Sequence, residues 1–444
     1  MSQWVIGISA KLDSLSNAQS QEEQCWTKRS IYKLPPLIFN LKKEAYQPQA
    51  VSFGPYHHGK PHLKPMEDHK QRALLHFLKR SPVSLQKIFH SMVEVAEELK
   101  ASYDSLEAEW QDNTEKFVQL MIVDGCFMLE ILQEATQEFG SDAAARESGN
   151  DAAARVYMSD YSNDDPIFGP HGKLYAIPFI RRDMLLIENQ LPMLVLFKLK
   201  GIKENVEEDM ETLNKQILNF YGHVAHGSKM GKRLHILDLY RKSLLYKEPK
   251  RTKSTKLKGD QGPYSPTVIR SATELNEAGI RFKKSKTESL RDISFDSGVL
   301  RLPKFVVDDT TESTFLNLIA FERCHVGAGH AITSFICFMD NIIDHDRDIS
   351  LLSSKGIIHN VAGTDKAAAN LFNTMSKDLM MDSSNDLNMV TMSIASYWKK
   401  PWHKWRAMLI HTYFRSPWAI VSVVAAVILF ALATVSTVYD VMGK

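Results

Sequence analysis

Apolar residues recur at helical spacing over most of this chain, and one run near its end is apolar without a break. Leu85, Ile88, Phe89, Met92, Val95, Ala96 and Leu99 fall at i, i+3, i+4, i+7, i+10, i+11 and i+14, one face of a helix. Phe117, Leu120, Met121, Phe127, Met128, Ile131 and Leu132 make a second such face. Pro65 suits the first turn of a helix carrying Glu67 and Asp68, where the dipole favours acids, with Leu74, Leu75 and Leu78 as its apolar stripe. Residues 181–200 read as a helix–Pro–helix pair around Pro192. Further helical patterns cover 211–222, 231–246, 271–278, 312–325, 330–344 and 365–378. Short extended runs interrupt them at Ile280–Phe282, Ile293–Phe295 and Val299–Leu302. Asp296-Ser297-Gly298 reads as a hairpin loop with a glycine available for positive φ. The pattern predicts a mainly α fold: a large helical domain with a small antiparallel β-sheet or hairpin, plus one C-terminal transmembrane helix.

That last helix is expected over 418–438, WAIVSVVAAVILFALATVSTV, with no charge, Pro or Gly. At about 1.5 Å per residue it matches a hydrocarbon core of roughly 30 Å. Trp418 and Tyr439 flank it as interfacial aromatics do. Lys399, Lys400, Lys404, Arg406 and Arg415 precede it and Lys444 follows, so the positive-inside rule places residues before the helix in the cytosol. The chain reads as a single-pass, tail-anchored membrane protein. The competing reading, a buried core helix, fits the length and terminal position less well. Upstream, Trp398, Trp402, Trp405, Leu409 and Tyr413 form a helical stripe with Lys399, Lys400, Lys404 and Arg406 largely off it. This suits an interfacial helix touching anionic lipid through those cations, or a face packed into the domain.

The rest divides by composition. Residues 1–30 are polar and aperiodic, and 31–65 are proline-rich, reading as an extended, docked segment. Residues 31–400 form the main domain, 401–417 the juxtamembrane segment, 418–438 the span and 439–444 a short tail. Two stretches read as surface insertions. In 141–165 the sequence Asp-Ala-Ala-Ala-Arg occurs twice, and 247–266 is basic and rich in turn formers. Net charge is +2, so global electrostatics imply no nucleic-acid partner. Cys25, Cys126, Cys324 and Cys337 are scattered without a CxxC, as in a reducing compartment.

Candidate chemistry is sparse. His57, His58, His62, His69 and His76 crowd one stretch, but no cysteine joins them and His57-His58-Gly59 reads equally as a turn. Glu322-Arg-Cys-His325 is one E-x-x-H, where a di-iron site needs two. Asp340 and Asp344 on the following helix could approach it, and Asp344, Asp346 and Asp348 read as the next turn and cap. Asp124, Asp183, Glu188, Asn189 and Gln190 interrupt apolar runs. Such groups can be catalytic but more often satisfy backbone donors and fix register. There is no G-x-S-x-G, P-loop, H-E-x-x-H or G-x-G-x-x-G after a strand. No catalytic, cofactor-binding or metal residues are assigned, and no cofactor is expected.

Ordered motifs carry a further signal. Ile31-Tyr-Lys-Leu-Pro-Pro-Leu, Ala45-Tyr-Gln-Pro and Val51-Ser-Phe-Gly-Pro-Tyr-His-His-Gly open the series. Met66-Glu-Asp-His-Lys, Asp124-Gly-Cys-Phe and Asp183-Met-Leu-Leu-Ile-Glu-Asn-Gln-Leu-Pro follow. Ser271-Ala-Thr-Glu-Leu-Asn-Glu-Ala-Gly, Thr311-Glu-Ser through Phe321-Glu-Arg-Cys-His, Phe338-Met-Asp and Lys355-Gly-Ile-Ile complete it. From residue 31 to the apolar helix the chain resembles the plant family called domain of unknown function 247. The resemblance implies a plant membrane protein and no enzyme activity. Some grass members are associated with self-incompatibility loci, as candidate recognition determinants. The expected function is a membrane-tethered protein-interaction or recognition module, its partners the lipid bilayer through 418–438 and proteins of unstated identity. The alternative is a membrane-anchored enzyme with an unrecognised site around Glu322, His325 and Asp340.

Overall fold

The computed structural model describes residues 3–5, 28–148, 161–204, 210–222, 229–246, 269–379, 386–400 and 417–442. The chain is mainly helical with small β elements. Its longer elements run α1 Lys64–Lys79, α2 Leu85–Val93, α3 Thr114–Ser148, α4 Ile177–Asp183, α5 Met193–Glu204, α6 Met210–Phe220, α7 Ile236–Leu245 and α8 Ala272–Glu277. Strands β1 Arg281–Lys284, β2 Ser294–Asp296, β3 Val299–Leu302 and β4 Phe305–Val307 follow. Then come α9 Thr311–Cys324, α10 Ala331–Ile342, α11 Asp346–Ser354, β5 Ile358–Asn360, α12 Asp365–Met375, α13 Asp386–Trp398 and α14 Pro417–Met442. They gather into two compact units. The first comprises Met1–Glu248 with Thr310–Ile332, the second Pro249–Asp309 with Thr333–Lys444.

In the first unit α1, α2, α5 and α6 pack around α3. The face expected from Phe117 to Leu132 is buried, and so are Val118, Ile122, Cys126 and Leu129 between its members. A helix apolar on every side belongs at a centre. Gly125 lets α5 approach closely, since a Cβ there would lie 2.5 Å from Leu199. On α1 the buried set is Lys70, Ala73, Leu74 and Phe77, whereas Leu75 is exposed. The predicted stripe is therefore rotated, because a buried lysine occupies a position that counts as polar in the sequence. The single helix expected over 85–99 is divided: α2 ends at Val93 and a short helix, Ala96–Ala101, resumes after it.

The N-terminal segment is docked from residue 29. Arg29 pairs with Asp104, and the Ser30 and Ile31 amides donate to the Ser102 carbonyl. The boundary of the loose segment expected over 1–30 thus falls earlier, and 6–27 lie outside the described residues. The insertion at 141–165 is also narrower than expected, because α3 continues through Ser148. At its other end Tyr161 is buried, stacks on Phe168 at 4.0 Å and donates to Glu130. Asp165 accepts the Ile167 and Phe168 amides and pairs with Arg72. Residues 149–160 and the whole insertion at 247–266 lie outside the described residues, as do 401–416.

The second unit holds a three-stranded sheet of order β1-β3-β2 and a separate pair, β4-β5. The hairpin between β2 and β3 is as expected. Ser297 and Gly298 both have positive φ, the two-residue turn whose twist suits a hairpin. β1, however, runs parallel to β3, so the sheet is mixed rather than antiparallel. The chain reaches the far edge through 285–293, where Asp292 accepts both the amide and hydroxyl of Thr287. β4 and β5 are parallel as well. The aspartate turn expected after α10 is a cap. Asp348 accepts the Asp344 and His345 amides and also the Thr273 amide and hydroxyl, joining the starts of α8 and α11.

The C-terminal helix α14 covers the residues expected to span and extends to Pro417 and Met442. Among the described residues no helix is long and apolar enough to cross a membrane. The described side chains of α14 are those at 421–422, 424–438 and 442. All of them are exposed.

Gly298 combines a positive φ of 76° with close packing, since an added Cβ would meet the Tyr397 hydroxyl at 2.5 Å. Backbone strain alone is worth about 1–2 kcal/mol for an L-residue. Gly298→Ala is therefore expected to lower stability by at least about that much. Amide exchange across 294–302 checks it, and unchanged exchange there would contradict the assigned turn.

Candidate functional site

The sequence places Asp124, Asp183, Glu188, Asn189 and Gln190 within apolar surroundings, and the structure brings most of them to one place. They converge on Gln49–Gly54, a segment outside helix and strand that bends at Gln49, Ala50 and Gly54 and has no neighbouring strand among the described residues. The amides of Gln49, Ala50 and Val51 all donate to Asp183 Oδ2, at 2.9, 2.7 and 3.1 Å. The Phe53 amide donates to Asn189 Oδ1 at 2.7 Å, while the Asn189 amide group donates back to the Val51 carbonyl at 3.0 Å. The Gly54 amide donates to Asp124 Oδ2 at 2.8 Å. Gly54 has a φ of 69°, and a Cβ would lie 2.8 Å from the Tyr103 hydroxyl. Buried polar side chains thus do for this segment what a neighbouring strand does in a sheet.

The carboxylates are paired as well as hydrogen-bonded. Lys70, fully buried on α1, lies 2.8 Å from Asp124 Oδ1 and donates to the Ser52 carbonyl at 2.6 Å and to Glu67 at 2.8 Å. Burial pushes the Asp124 carboxyl up, against the pull of Lys70 and the Gly54 amide. Asp183 closes α4, where the helix dipole opposes a negative charge, and Arg182 supports it at 2.9 Å. Burial raises its pKa to about 6. Glu188 accepts the Leu34 amide at 2.6 Å and faces His57 Nε2 at 3.3 Å. Lys60 Nζ approaches His57 Nδ1 at 2.6 Å, so the imidazole carries its proton toward Glu188, and burial holds its pKa below the usual histidine range. Gln190 spans two elements, donating to the Met184 and Leu186 carbonyls and accepting the Leu237 amide.

The other predicted groups stay apart. His58 lies edge-on to Trp110, His62 contacts the Pro48 carbonyl, and His76 packs on Tyr161 at 4.2 Å. Glu322 and His325 face different partners. Glu322 takes two hydrogen bonds from Arg241, at 2.9 and 2.6 Å, and one from the Ile332 amide. His325 caps the end of α9, stacks on Phe321 and lies 3.0 Å from the Tyr32 hydroxyl. In the second unit burial raises the pKa of Asp340, against a hydrogen bond from Ser376. Asp344 lies beyond the end of α10, not on it as expected. Among the described residues no group of three or more His, Cys, Asp and Glu could hold a metal ion. Lys399 and Lys400 are exposed, whereas Lys404 and Arg406 lie outside the described residues.

Sequence reasoning missed His235. It is fully buried at the start of α7, where Nδ1 accepts the Asp238 amide at 3.2 Å and Nε2 donates to the Ser30 carbonyl at 3.0 Å. Burial lowers its pKa to about 4. Its sequence signal is weak, because a histidine is not among the usual N-cap residues. Chemically, the first unit's polar core binds its own backbone: the acceptors at Asp183, Asn189 and Asp124 are occupied by protein amides.

Comparison with known proteins agrees with the motif reading. A family model described as plant protein of unknown function, DUF247, matches residues 31–432. The Arabidopsis thaliana UPF0481 protein At3g47200 is 28% identical over 441 residues, covering 93% of this chain and 86% of its own. A second Arabidopsis thaliana UPF0481 protein, At3g02645, is 22% identical over 498 residues, covering 97% of this chain and 93% of its own. No solved structure matches the chain significantly.

Two outcomes follow from the buried charges. Lys70→Met strands Asp124 and is expected to cost about 3–5 kcal/mol. Adding Asp124→Leu removes the stranded charge but leaves the Gly54 amide unmatched, so the double variant should lose less than the sum of the two single losses without returning to wild type. Urea unfolding of the two single variants and the double variant in neutral detergent measures the coupling, and losses that simply add would mean the pair is not coupled. His235 is neutral when folded and must charge when unfolded. Its contribution is complete above about pH 6.5 and is lost as pH falls toward 4, a difference of about 3 kcal/mol. Asp183 tilts stability the other way between about pH 6 and 4, so the quantity to read is the difference between wild type and His235→Gln. That difference should shift by about 3 kcal/mol against the wild type between pH 7 and pH 4.

Proposed function

The chain belongs to the DUF247 family of plant proteins, and we propose that it acts as a membrane-tethered protein-interaction module. The observation that carries the tether is α14. The helix is 26 residues long, and its sequence holds no charge from Pro417 to Tyr439. Val421, Val427, Leu429, Phe430, Leu432 and Val435 are each more than half exposed. Contiguous apolar surface of this kind exceeds the patches that water-exposed proteins ordinarily leave uncovered. The uncharged stretch would cross roughly 30 Å as a helix, which matches lipid.

Two observations support interaction as the activity. The acceptors that sequence reading left open for chemistry are engaged by the protein's own amides and cations, which makes the first unit a preorganised support. On that support Leu174, Tyr175 and Phe179 stand out, each more than half exposed, along the short helix Pro170–Tyr175 and α4. Exposed aromatic and aliphatic side chains on a rigid element are the kind of anchor that partner proteins bury.

The cations that precede α14 support a cytosolic side for the residues before it. Protease added to sealed vesicles should therefore digest residues 1–415 without detergent. Survival of the large domain until detergent is added would reverse the orientation. Deleting Trp418–Lys444 should release a folded protein into the supernatant of a high-salt spin. If the truncated chain still pellets with membranes, α14 is not the sole attachment.

A further inference from the structure

The three-stranded sheet of the second unit carries an arrangement of charge that its own residues do not balance. Residues paired across neighbouring strands share a face. Phe282, Leu300 and Phe295 line one face, with Phe282 and Leu300 buried. On the other face Lys283 lies directly opposite Arg301, and Arg281 lies one pair further along. Neighbouring strands are only about 4.8 Å apart, and like charges placed directly opposite are destabilising.

Arg281 and Lys283 are exposed and Arg301 is half-buried. Among the described residues none of the three has a carboxylate ion-pair partner. The one acid on the same face, Asp296, is paired in register with Val299 and its Oδ1 accepts from Ser297. Over residues 281–304 seven cations (Arg281, Lys283, Lys284, Lys286, Arg291, Arg301, Lys304) face three acids (Glu288, Asp292, Asp296), a net charge of +4. The whole chain carries only +2. One of those acids, Asp292, is buried and held by Thr287.

We propose that this face, formed by Arg281, Lys283 and Arg301, docks on the anionic headgroups of the membrane that holds the protein. The inference rests on the tether reading for its location. Charge complementarity selects an anion, since lipid phosphates relieve the repulsion between Lys283 and Arg301. The membrane is favoured over other polyanions because α14 belongs to the same unit and presents apolar side chains that suit lipid. A tethered surface meets headgroups at high effective concentration, so modest attraction per charge is enough. Each cation near an anionic surface contributes about fivefold in the contact equilibrium, and the contribution is screened by salt.

The test uses the full chain in nanodiscs of phosphatidylcholine, with or without phosphatidylglycerol, neither of which has a primary amine to compete for reagent. Lysine acetylation followed by mass spectrometry reports Lys283, with exposed Lys87 as a control in the first unit. Acetylation of Lys283 should fall about fivefold or more in the anionic discs, recover in 0.5 M salt, and leave Lys87 unchanged. Arg281→Gln combined with Arg301→Gln should remove that protection while incorporation into discs is unaltered. If the protein enters both discs and Lys283 reacts equally in each, the headgroup contact is wrong and the tether stands. Failure to enter either disc sinks the tether and this proposal with it. Protection by an added RNA oligonucleotide in neutral discs, with no effect of phosphatidylglycerol, would overturn it in favour of nucleic acid. The salt response of the unaltered chain decides the matter even if the double variant does not fold.

Discussion

The first unit depends on a problem posed by six residues. Gln49–Gly54 lies outside helix and strand and is buried from Val51 to Gly54, so its amides and carbonyls need partners. Helices cannot supply them, because their own backbone groups are already used. The partners are therefore side chains, and each comes from a different element: Lys70 from α1, Asp124 from α3, Asp183 from the end of α4 and Asn189 from the turn before α5. Any of these elements that moved would leave a buried donor or charge unmatched, at about 1–3 kcal/mol or more each. The segment thus fixes the relative placement of helices that apolar contact alone would leave free to slide.

Much of this was readable as pieces and little of it as an assembly. Asp124, Asp183, Glu188 and Asn189 stand out in sequence because they interrupt apolar runs, and the reading that they satisfy backbone donors is the one the structure bears out. Which donors they satisfy was hidden. Asp183 acts on residues more than 130 positions upstream, and no local period reports such a bond. Lys70 was invisible for the opposite reason: on a helical wheel a lysine marks the solvent side. The helices themselves were legible because a 3.6-residue period is local. The β2–β3 hairpin was legible because its turn residues are. The parallel pairings of β1 with β3 and β4 with β5 depend on contacts across long separations, and three- or four-residue strands carry too little pattern to reveal them.

The same logic runs through the rest of the first unit. Asn317 on α9 accepts the Ile187 amide and donates to the Ala45 carbonyl, while Ser313 donates to that same carbonyl. Lys42 pairs with Glu312 at 2.6 Å. Residues 42–45, the turn at 187–189 and α9 are thus joined by polar side chains, as the segment at 49–54 is joined to α1, α3 and α4. Sequence motifs that are separated along the chain meet as donor and acceptor.

Buried ion pairs are a poor source of net stability. The desolvation of Lys70 and Asp124 offsets most of their attraction, and apolar residues of similar volume could hold the helices about as firmly. What apolar residues could not do is satisfy the Gly54 amide or the Ser52 carbonyl, so the polar solution selects one threading of 49–54 among many that would bury equal area. Such a core constrains shape closely and leaves the outer surface free. On the proposed reading, discrimination between partners would fall to side chains that such a core does not use. Leu174, Tyr175 and Phe179 in the first unit, and Arg281 and Lys283 in the second, are exposed in that sense. The first set offers apolar anchors and the second offers charge. The proposed interaction role would draw on both kinds of surface, each set carried by its own unit.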